Sequence, residues 1–403
     1  MLKWIEIDTG VITENARIIR RSLNPGVGFA AVVKANGYGH GAVQAAIAAI
    51  EGGADRLAVL TAEEGATLRA ELRSERNGGG IYGNVPITLL APSLPEEAES
   101  IVKNRLVPCA DSLDFLAVLD RISERDSGLL KNDMYFSKIH DVLSKRDHVF
   151  SKIDNDGTIR YPVIIETDLG MARWGIPPTE VLNFIKKAMS FRHIRIAGIS
   201  THLGYRPPEN LTDAEEKLRI FADIAAQAEQ ILGYKIEAAA ANSTVLCDIS
   251  GSQFDVVRIG NLMYGIYPTD IYKKRRGGPP LPGLRRPWQM YARIISIKNI
   301  RKGEKIGYNS EFTAPNDMRI AAIPAGYSDG LTMEPMEYKI RIVSGFRYWA
   351  MINGKKAYFV GKPGISHTLL DVSDIPEATV GTVAALHVRR TSANILIPRI
   401  YKN

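Results

Sequence analysis

The chain has 403 residues, 45% hydrophobic and 24% charged, which excludes a disordered chain and is more than one ordinary domain needs. Its two cysteines, Cys109 and Cys247, are too far apart for a disulfide framework or a metal-ligand motif, so a reducing, cytoplasmic setting is expected. The net charge of +7 comes from dispersed Lys and Arg apart from Lys273-Lys274-Arg275-Arg276 and Arg285-Arg286; with no interleaved aromatics these runs read as a solvated linker, and nucleic acid is not an expected partner.

The opening Met1-Leu2-Lys3-Trp4-Ile5-Glu6 carries charges where a signal peptide needs an apolar stretch. No later segment reaches the ~20 apolar residues of a membrane span, so no membrane association is expected. Residues 2–7 are strand-like, and residues 1–10 are assigned to a β domain formed later in the chain. From residue 26 to residue 265 eight apolar runs follow, at 27–35, 56–61, 87–92, 107–110, 161–168, 196–203, 235–243 and 255–265. They are near-continuous in Val, Ile, Leu and Ala rather than alternating, as parallel strands covered on both faces require. Helical patterns separate most of them. The clearest spans 213–232, with Thr212 and Glu215 as a capping-box pair and Leu218, Phe221, Ala225, Ala228 and Leu232 at helical spacing. Eight such units predict a (β/α)8 TIM-type barrel over residues 11–275, with a doubly wound sheet as the competing arrangement. The charged stretch 123–160 reads as a surface insertion. Beyond Gly277-Gly278-Pro279-Pro280 strands follow without intervening helices, at 289–297, 319–325 and 348–352, so residues 276–403 are expected to form a mainly β C-terminal domain. Asn353-Gly354 suits a type I′ hairpin turn, whose two central positions need positive φ.

The strongest local signal is Ala31-Val32-Val33-Lys34-Ala35-Asn36-Gly37-Tyr38-Gly39-His40-Gly41, where a lysine ends an apolar strand and a glycine-rich turn follows. At the C-terminal end of a barrel strand an amine points into the mouth where active sites form, and desolvation lowers its pKa toward Schiff-base chemistry. An isolated lysine there would more often snorkel to solvent. Gly37 to Ala42 also fits the loose G-x-G-x-x-A dinucleotide pattern, but Glu63 and Glu64 suit the opening turn of a helix better than a grip on ribose. Other polar residues gather at strand ends: Arg173 after the fifth run, His202 after the sixth, Asn242-Ser243 after the seventh and Arg258 within the eighth. Singly, His202 could be a satisfied core histidine, Arg173 half of an ion pair, and Asn242-Ser243 a helix cap. Convergence on one barrel face points to a site.

Val33-Lys34-Ala35-Asn36-Gly37-Tyr38-Gly39-His40-Gly41 resembles the cofactor-lysine signature of alanine racemases. The resemblance continues in order through Gly170-Met171-Ala172-Arg173, Thr201-His202, Ala241-Asn242-Ser243, Val257-Arg258-Ile259-Gly260, Gly303-Glu304-Lys305-Ile306-Gly307-Tyr308 and Ile323-Pro324-Ala325-Gly326-Tyr327-Ser328-Asp329-Gly330. It implies a pyridoxal 5′-phosphate (PLP) barrel plus a β domain, acting on a small amino acid as a homodimer with shared sites. Lys34 would hold PLP and act as the base on one face of Cα, with Tyr308 as the base on the other. His202 and Arg258 would lower the tyrosine's pKa, Arg258 would face the pyridine nitrogen, and Tyr38, Ser243 and the amides near Gly260 and Asn261 would hold the phosphate. Arg173 and Ile365 would meet the substrate, and Asn242 would support the site.

Several positions depart from the family. Its modified lysine falls on Glu166, expected here to orient Arg173 with a permanent carboxylate. Its Cys-Met-Asp triplet appears as Gly364-Ile365-Ser366, a histidine that leans on the cofactor-facing arginine as Ala239, and a pocket-closing tyrosine as Ile395. Alanine leads as substrate, with another or broader set of amino acids as an alternative. The competing readings are a PLP-dependent decarboxylase and a non-catalytic PLP-binding protein.

Overall fold

The computed structural model describes residues 1–77, 80–126, 160–269, 271–274, 276–310, 312–331, 348–388, 391 and 393–403. The expected surface insertion at 123–160 lies outside these residues except at its ends. The chain divides into two compact units, one of Val11–Gly37 and Gly41–Arg286, the other of Met1–Gly10, Tyr38–His40 and Pro287–Asn403.

Strand β1 (Lys3–Asp8) belongs to the second unit. In the first unit eight parallel strands form one sheet: β2 (Gly28–Val32), β3 (Arg56–Val59), β4 (Ile87–Pro92), β5 (Leu106–Ala110), β6 (Tyr161–Thr167), β7 (Ile194–Thr201), β8 (Glu237–Ala239) and β9 (Val256–Ile259). Their order is β8-β7-β6-β5-β4-β3-β2-β9. The end strands approach each other through Asp255 N to Ala238 O at 3.1 Å and Arg258 N to Ala241 O at 2.9 Å, so the barrel is nearly closed. Each of the eight apolar runs overlaps one of these strands, the last continuing past β9 into the turn that follows it. Sequential neighbours pair throughout β2 to β8, with no reversal of strand order among them, which rules out the doubly wound arrangement. Every residue of β2, β3, β5 and β7 is buried, which explains the absence of polar alternation. Gly198 is required by a close approach: a Cβ there would lie 2.7 Å from the Glu237 carbonyl oxygen.

Helices flank the strands: α1 (Thr9–Ser22), α2 (Ala42–Glu51), α3 (Ala62–Arg73), α4 (Ala98–Asn104), α5 (Leu113–Arg125), α6 (Val181–Ala188), α7 (Leu211–Leu232) and α8 (Ser243–Asp248). Helix α7 buries Ala214, Leu218, Phe221, Ile224 and Ala228. Its start differs from the expected capping box at Thr212 and Glu215. The helix begins two residues before Asp213, and the N-cap is Asn210, whose side chain bridges Arg206 N at 2.7 Å and Gly204 O at 2.9 Å. A nearby loop contact thus outcompetes the local capping pattern.

In the second unit β1 is joined by β10 (Trp288–Arg293), β11 (Ser296–Ile300), β12 (Lys305–Ile306), β13 (Phe312–Thr313), β14 (Met318–Ile323), β15 (Trp349–Ile352), β16 (Lys355–Phe359), β17 (Thr368–Asp371), β18 (Val383–Leu386) and β19 (Arg399–Lys402). Nine of these make one sheet in the order β11-β14-β17-β16-β15-β18-β10-β1-β19, and β12 pairs with β13. The stretch 289–297, read from sequence as one strand, is two. It breaks at Ile294-Ile295, whose amides bond to Thr382 O and Ala322 O on opposite arms of the sheet. Asn353 and Gly354, with φ of 48° and 78°, form the two-residue turn between β15 and β16. Among the described residues no helix is long and apolar enough to cross a membrane.

Candidate active site

Lys34 follows the buried end of β2, and the backbone beyond it turns sharply left-handed. Ala35, Asn36, Gly37 and Tyr38 have φ of 52°, 52°, 61° and 54°. Three of these are not glycine, a conformation that persists only when surrounding bonds fix it. In the barrel unit those bonds are Gly37 N to Val33 O at 2.8 Å, Gly41 N to Asn36 O at 2.9 Å and Ala42 N to Asn36 Oδ1 at 3.0 Å. A fourth comes from Glu64, whose carboxylate accepts from Ala35 N at 2.7 Å and Leu60 N at 2.8 Å. Glu64 also sits in the first turn of α3, where Thr61 caps its amide. Its carboxylate is spent on the lysine turn, so it does not serve the dinucleotide role weighed for that region.

The amine of Lys34 has no hydrogen bond or ion pair among the described residues. Burial pushes its pKa down from the ordinary lysine value, Arg173 pushes the same way, Glu64 pulls against them, and Arg258 adds a smaller downward push. His202, just past β7, is depressed to about 3 by burial, then by Arg258, Arg173 and Lys34, so its imidazole is neutral at working pH. These four side chains therefore sense one another at the C-terminal ends of β2, β6, β7 and β9. That is the end at which TIM barrels carry out chemistry.

Arg173 lies in the loop after β6, where Asp168 Oδ1 accepts from Gly170 N at 2.9 Å and Met171 N at 2.8 Å. Its guanidinium stacks on Trp174, 3.6 Å from the ring centroid, and forms no ion pair among the described residues. Glu166 makes no direct contact with Arg173, but after burial, which lowers the Arg173 pKa, its charge is the largest influence on that guanidinium and opposes the shift, so any orienting effect acts through space. Glu166 is 2% exposed and points into the barrel, where Oε2 accepts from the Ser200 hydroxyl in a short contact and faces the Cys109 thiol at 3.6 Å. Its arginine partner is Arg258, with Nη1 at 3.8 Å. The lack of contact follows from direction: strand alternation turns Glu166 toward the barrel axis, while Arg173 lies in the loop beyond the end of β6.

Arg258 Nη2 also donates to the carbonyls of Thr201, in a short contact, and of Ala239 at 3.4 Å. Asn242 accepts from Thr244 N at 2.9 Å and Val245 N at 3.1 Å, so it caps α8, while its amide group donates to Leu203 O at 3.3 Å and lies 3.5 Å from His202 Nε2. Ser243 is buried, and its hydroxyl has no partner among the described residues. Gly260 and Asn261 open a short 3-10 turn after β9.

In the second unit Tyr308 is 57% exposed, its ring tilted against His367 at 5.7 Å, after a left-handed Gly307. Ile365 is also exposed, and its carbonyl accepts from Ser328 N at 3.0 Å and the Ser328 hydroxyl at 2.7 Å. Tyr38, whose carbonyl faces His40 Nδ1 at 3.1 Å, belongs to this unit too. Arg399 donates to Gly39 O at 3.0 Å and tethers the same short segment.

Two family models cover most of the chain: alanine racemase, N-terminal domain, over residues 7–268, and alanine racemase, C-terminal domain, over residues 288–400. The chain belongs to the alanine racemase family. An alanine racemase of Nostoc sp. is 28% identical over 385 residues, 95% of this chain and 86% of the relative. One from Halothermothrix orenii is 27% identical over 385 residues, again 95% and 86%. Among solved structures, an alanine racemase of Clostridium difficile 630 superposes with a TM-score of 0.78 at 22% identity, covering 100% of this chain and 96% of that one. The enzyme from Bacillus anthracis, solved with bound L-Ala-P, gives 0.76 at 23% identity, covering 100% and 95%. These structures share the barrel and the β domain.

Alanine racemases depend on PLP, an anionic aldehyde that needs a deprotonatable lysine and groups that tolerate negative charge. The barrel unit fits it. The Lys34 amine is unpaired and depressed, two arginines and a neutral imidazole surround it, and the hydroxyl of the largely buried Ser243 has no partner among the described residues. The amides of Thr244 and Val245 are already taken by Asn242.

Proposed function

We propose that this amino-acid racemase interconverts L- and D-alanine by moving a proton between the two faces of Cα, in a cytoplasmic homodimer that shares its sites and supplies D-alanine. The observation that carries the proposal is the Lys34 amine, held without a counter-ion among Arg173, Arg258 and a neutral His202. PLP, when bound, supplies a sink for the electron pair left at Cα.

Lys34 would hold the cofactor and exchange the proton on one face of Cα. An amine depressed by burial and by two cations is a better base near neutral pH than an exposed lysine. Tyr308 would exchange the proton on the other face, since inversion requires a donor opposite the acceptor. Arg173 would bind the substrate carboxylate and retain it, which disfavours decarboxylation. Arg258, always a donor, would face the pyridine nitrogen and keep it unprotonated. His202 and Asn242 support Arg258's surroundings, and Tyr38, Ser243, Gly260 and Asn261 would take the phosphate. Ile365 would line the substrate pocket. The L-Ala-P bound in the Bacillus anthracis relative supports a ligand of alanine's size. Two free cysteines fit a reducing compartment.

The test is α-proton exchange. PLP-loaded protein is incubated with single-enantiomer amino acids in deuterium oxide, and Cα deuteration, chirality and carbon dioxide are followed together. Deuteration with inversion of alanine is expected. Carbon dioxide release would indicate a decarboxylase, and a PLP absorbance band indifferent to every amino acid would indicate a carrier.

A further inference from the structure

Among the described residues, Glu166 is the one carboxylate within ion-pair distance of Arg258. A guanidinium cannot shed its proton, so a buried one needs a counter-charge or acceptors to hold it. Arg258 keeps 10% side-chain exposure and Glu166 3%. The carboxylate is itself fixed. Its register partner across β6 and β7, Ser200, donates to Oε2, and the Cys109 thiol faces the same oxygen. Burial first, and then the charge of Glu166, hold Cys109 well above the ordinary thiol range, so it remains a protonated neighbour rather than a second anion. Ala239 on the next strand contributes only its carbonyl to Arg258.

We propose that Glu166 is a positioning residue for Arg258. Anchored by Ser200 and Cys109, its carboxylate supplies the buried negative charge against which Arg258 Nη1 rests, while Nη2 is held by the Thr201 and Ala239 carbonyls. Glu166 thereby sets the guanidinium's orientation and limits the surplus of positive charge around Lys34. The inference rests on Arg258 being the cofactor-facing arginine, and it assigns the direct contact of Glu166 to that arginine, with Arg173 reached only through space.

The test uses PLP-loaded Glu166→Gln, Glu166→Asp, Arg258→Lys and the double variant Glu166→Gln/Arg258→Lys. Four quantities are read: the visible band of the bound cofactor, PLP affinity of the stripped protein, kcat, and KM for alanine. Glu166→Gln should shift the band and lower kcat on the order of tenfold, a usual effect of a partner one shell removed from the reacting group. KM should change less, because Arg173 is untouched, and Glu166→Asp should recover part of the loss. The double variant should be no worse than Arg258→Lys alone, since both substitutions remove one interaction. If Arg258→Lys moves the band while Glu166→Gln leaves band, affinity and kcat at wild-type values, the inference fails and the role of Arg258 stands. If Arg258→Lys leaves the band unmoved, both fail. Should Glu166→Gln not fold, Ser200→Ala keeps the charge but frees the carboxylate. A smaller shift in the same direction is then expected, and an unchanged band and kcat would overturn the proposal.

Discussion

Among the described residues of the barrel, two buried guanidinium–carboxylate pairs lie at opposite ends of its strands and differ in construction. Arg56 and Glu237 begin β3 and β8 and meet edge to edge, with Nη1 to Oε2 at 2.6 Å and Nη2 to Oε1 at 3.1 Å, while Arg56 Nε turns to Asp55 at 3.0 Å. Burial opposes the charge on Arg56, but Glu237 and Asp55 outweigh it and hold the guanidinium above its ordinary value. Every donor edge is used. Glu166 and Arg258, near the C-terminal ends of β6 and β9, touch through one oxygen at 3.8 Å, and that oxygen is shared with a hydroxyl and a thiol. A closed bidentate pair ties strands together. An open one holds its arginine in place while leaving donors for something else.

The difference should appear as a separation between chemistry and stability. The largest effects belong to the catalytic end. Lys34→Ala and Tyr308→Phe chains, each alone, should lose racemisation by roughly 10²–10⁴-fold or more, the share of a positioned acid–base group. If sites are shared between subunits, mixing the two should restore activity through hybrid dimers, read by chiral analysis of alanine; no recovery would argue for sites built within one chain. Next comes the N-terminal end. Glu237→Ala leaves the buried Arg56 with Asp55 as its remaining carboxylate and should cost about 3 kcal/mol in denaturant unfolding, the lower end for breaking a buried pair. The cofactor band of the protein that remains folded should not move.

A subtler effect concerns His202. In the cofactor-free protein its folded pKa is about 3 against an ordinary 6.5, so between those values the unfolded chain binds the extra proton. Its contribution to stability is complete above pH 6.5 and is lost progressively as pH falls toward 3. The urea midpoint of His202→Gln should therefore fall less between pH 7 and pH 5 than that of the wild type. Equal slopes would show that the imidazole is not held neutral.

What could be read in the sequence follows from what is local. The eight strands were legible because a buried parallel strand is apolar throughout, and Lys34 stood out because a lysine ends such a strand. Contacts across the barrel were not legible. Nothing near Glu166 announces that Ser200, 34 residues later, will share its oxygen, or that Arg258 rather than the nearby Arg173 will be its partner. Glu64 was readable as the opening of a helix, but its bond to Ala35, across 29 residues, was not. Asn210 displaced the Thr212 cap for a similar reason, because a loop bond outweighed a four-residue pattern. The break at Ile294-Ile295 reflects two pairing partners far apart in sequence.

The most direct test of proton transfer by two side chains is deuterium exchange in Tyr308→Phe protein, started separately from L- and D-alanine. With one base per face, the variant should still exchange the Cα proton of one enantiomer, without inversion, and should lose exchange of the other. Equal loss from both enantiomers, or continued racemisation, would contradict the assignment of Lys34 and Tyr308 to opposite faces.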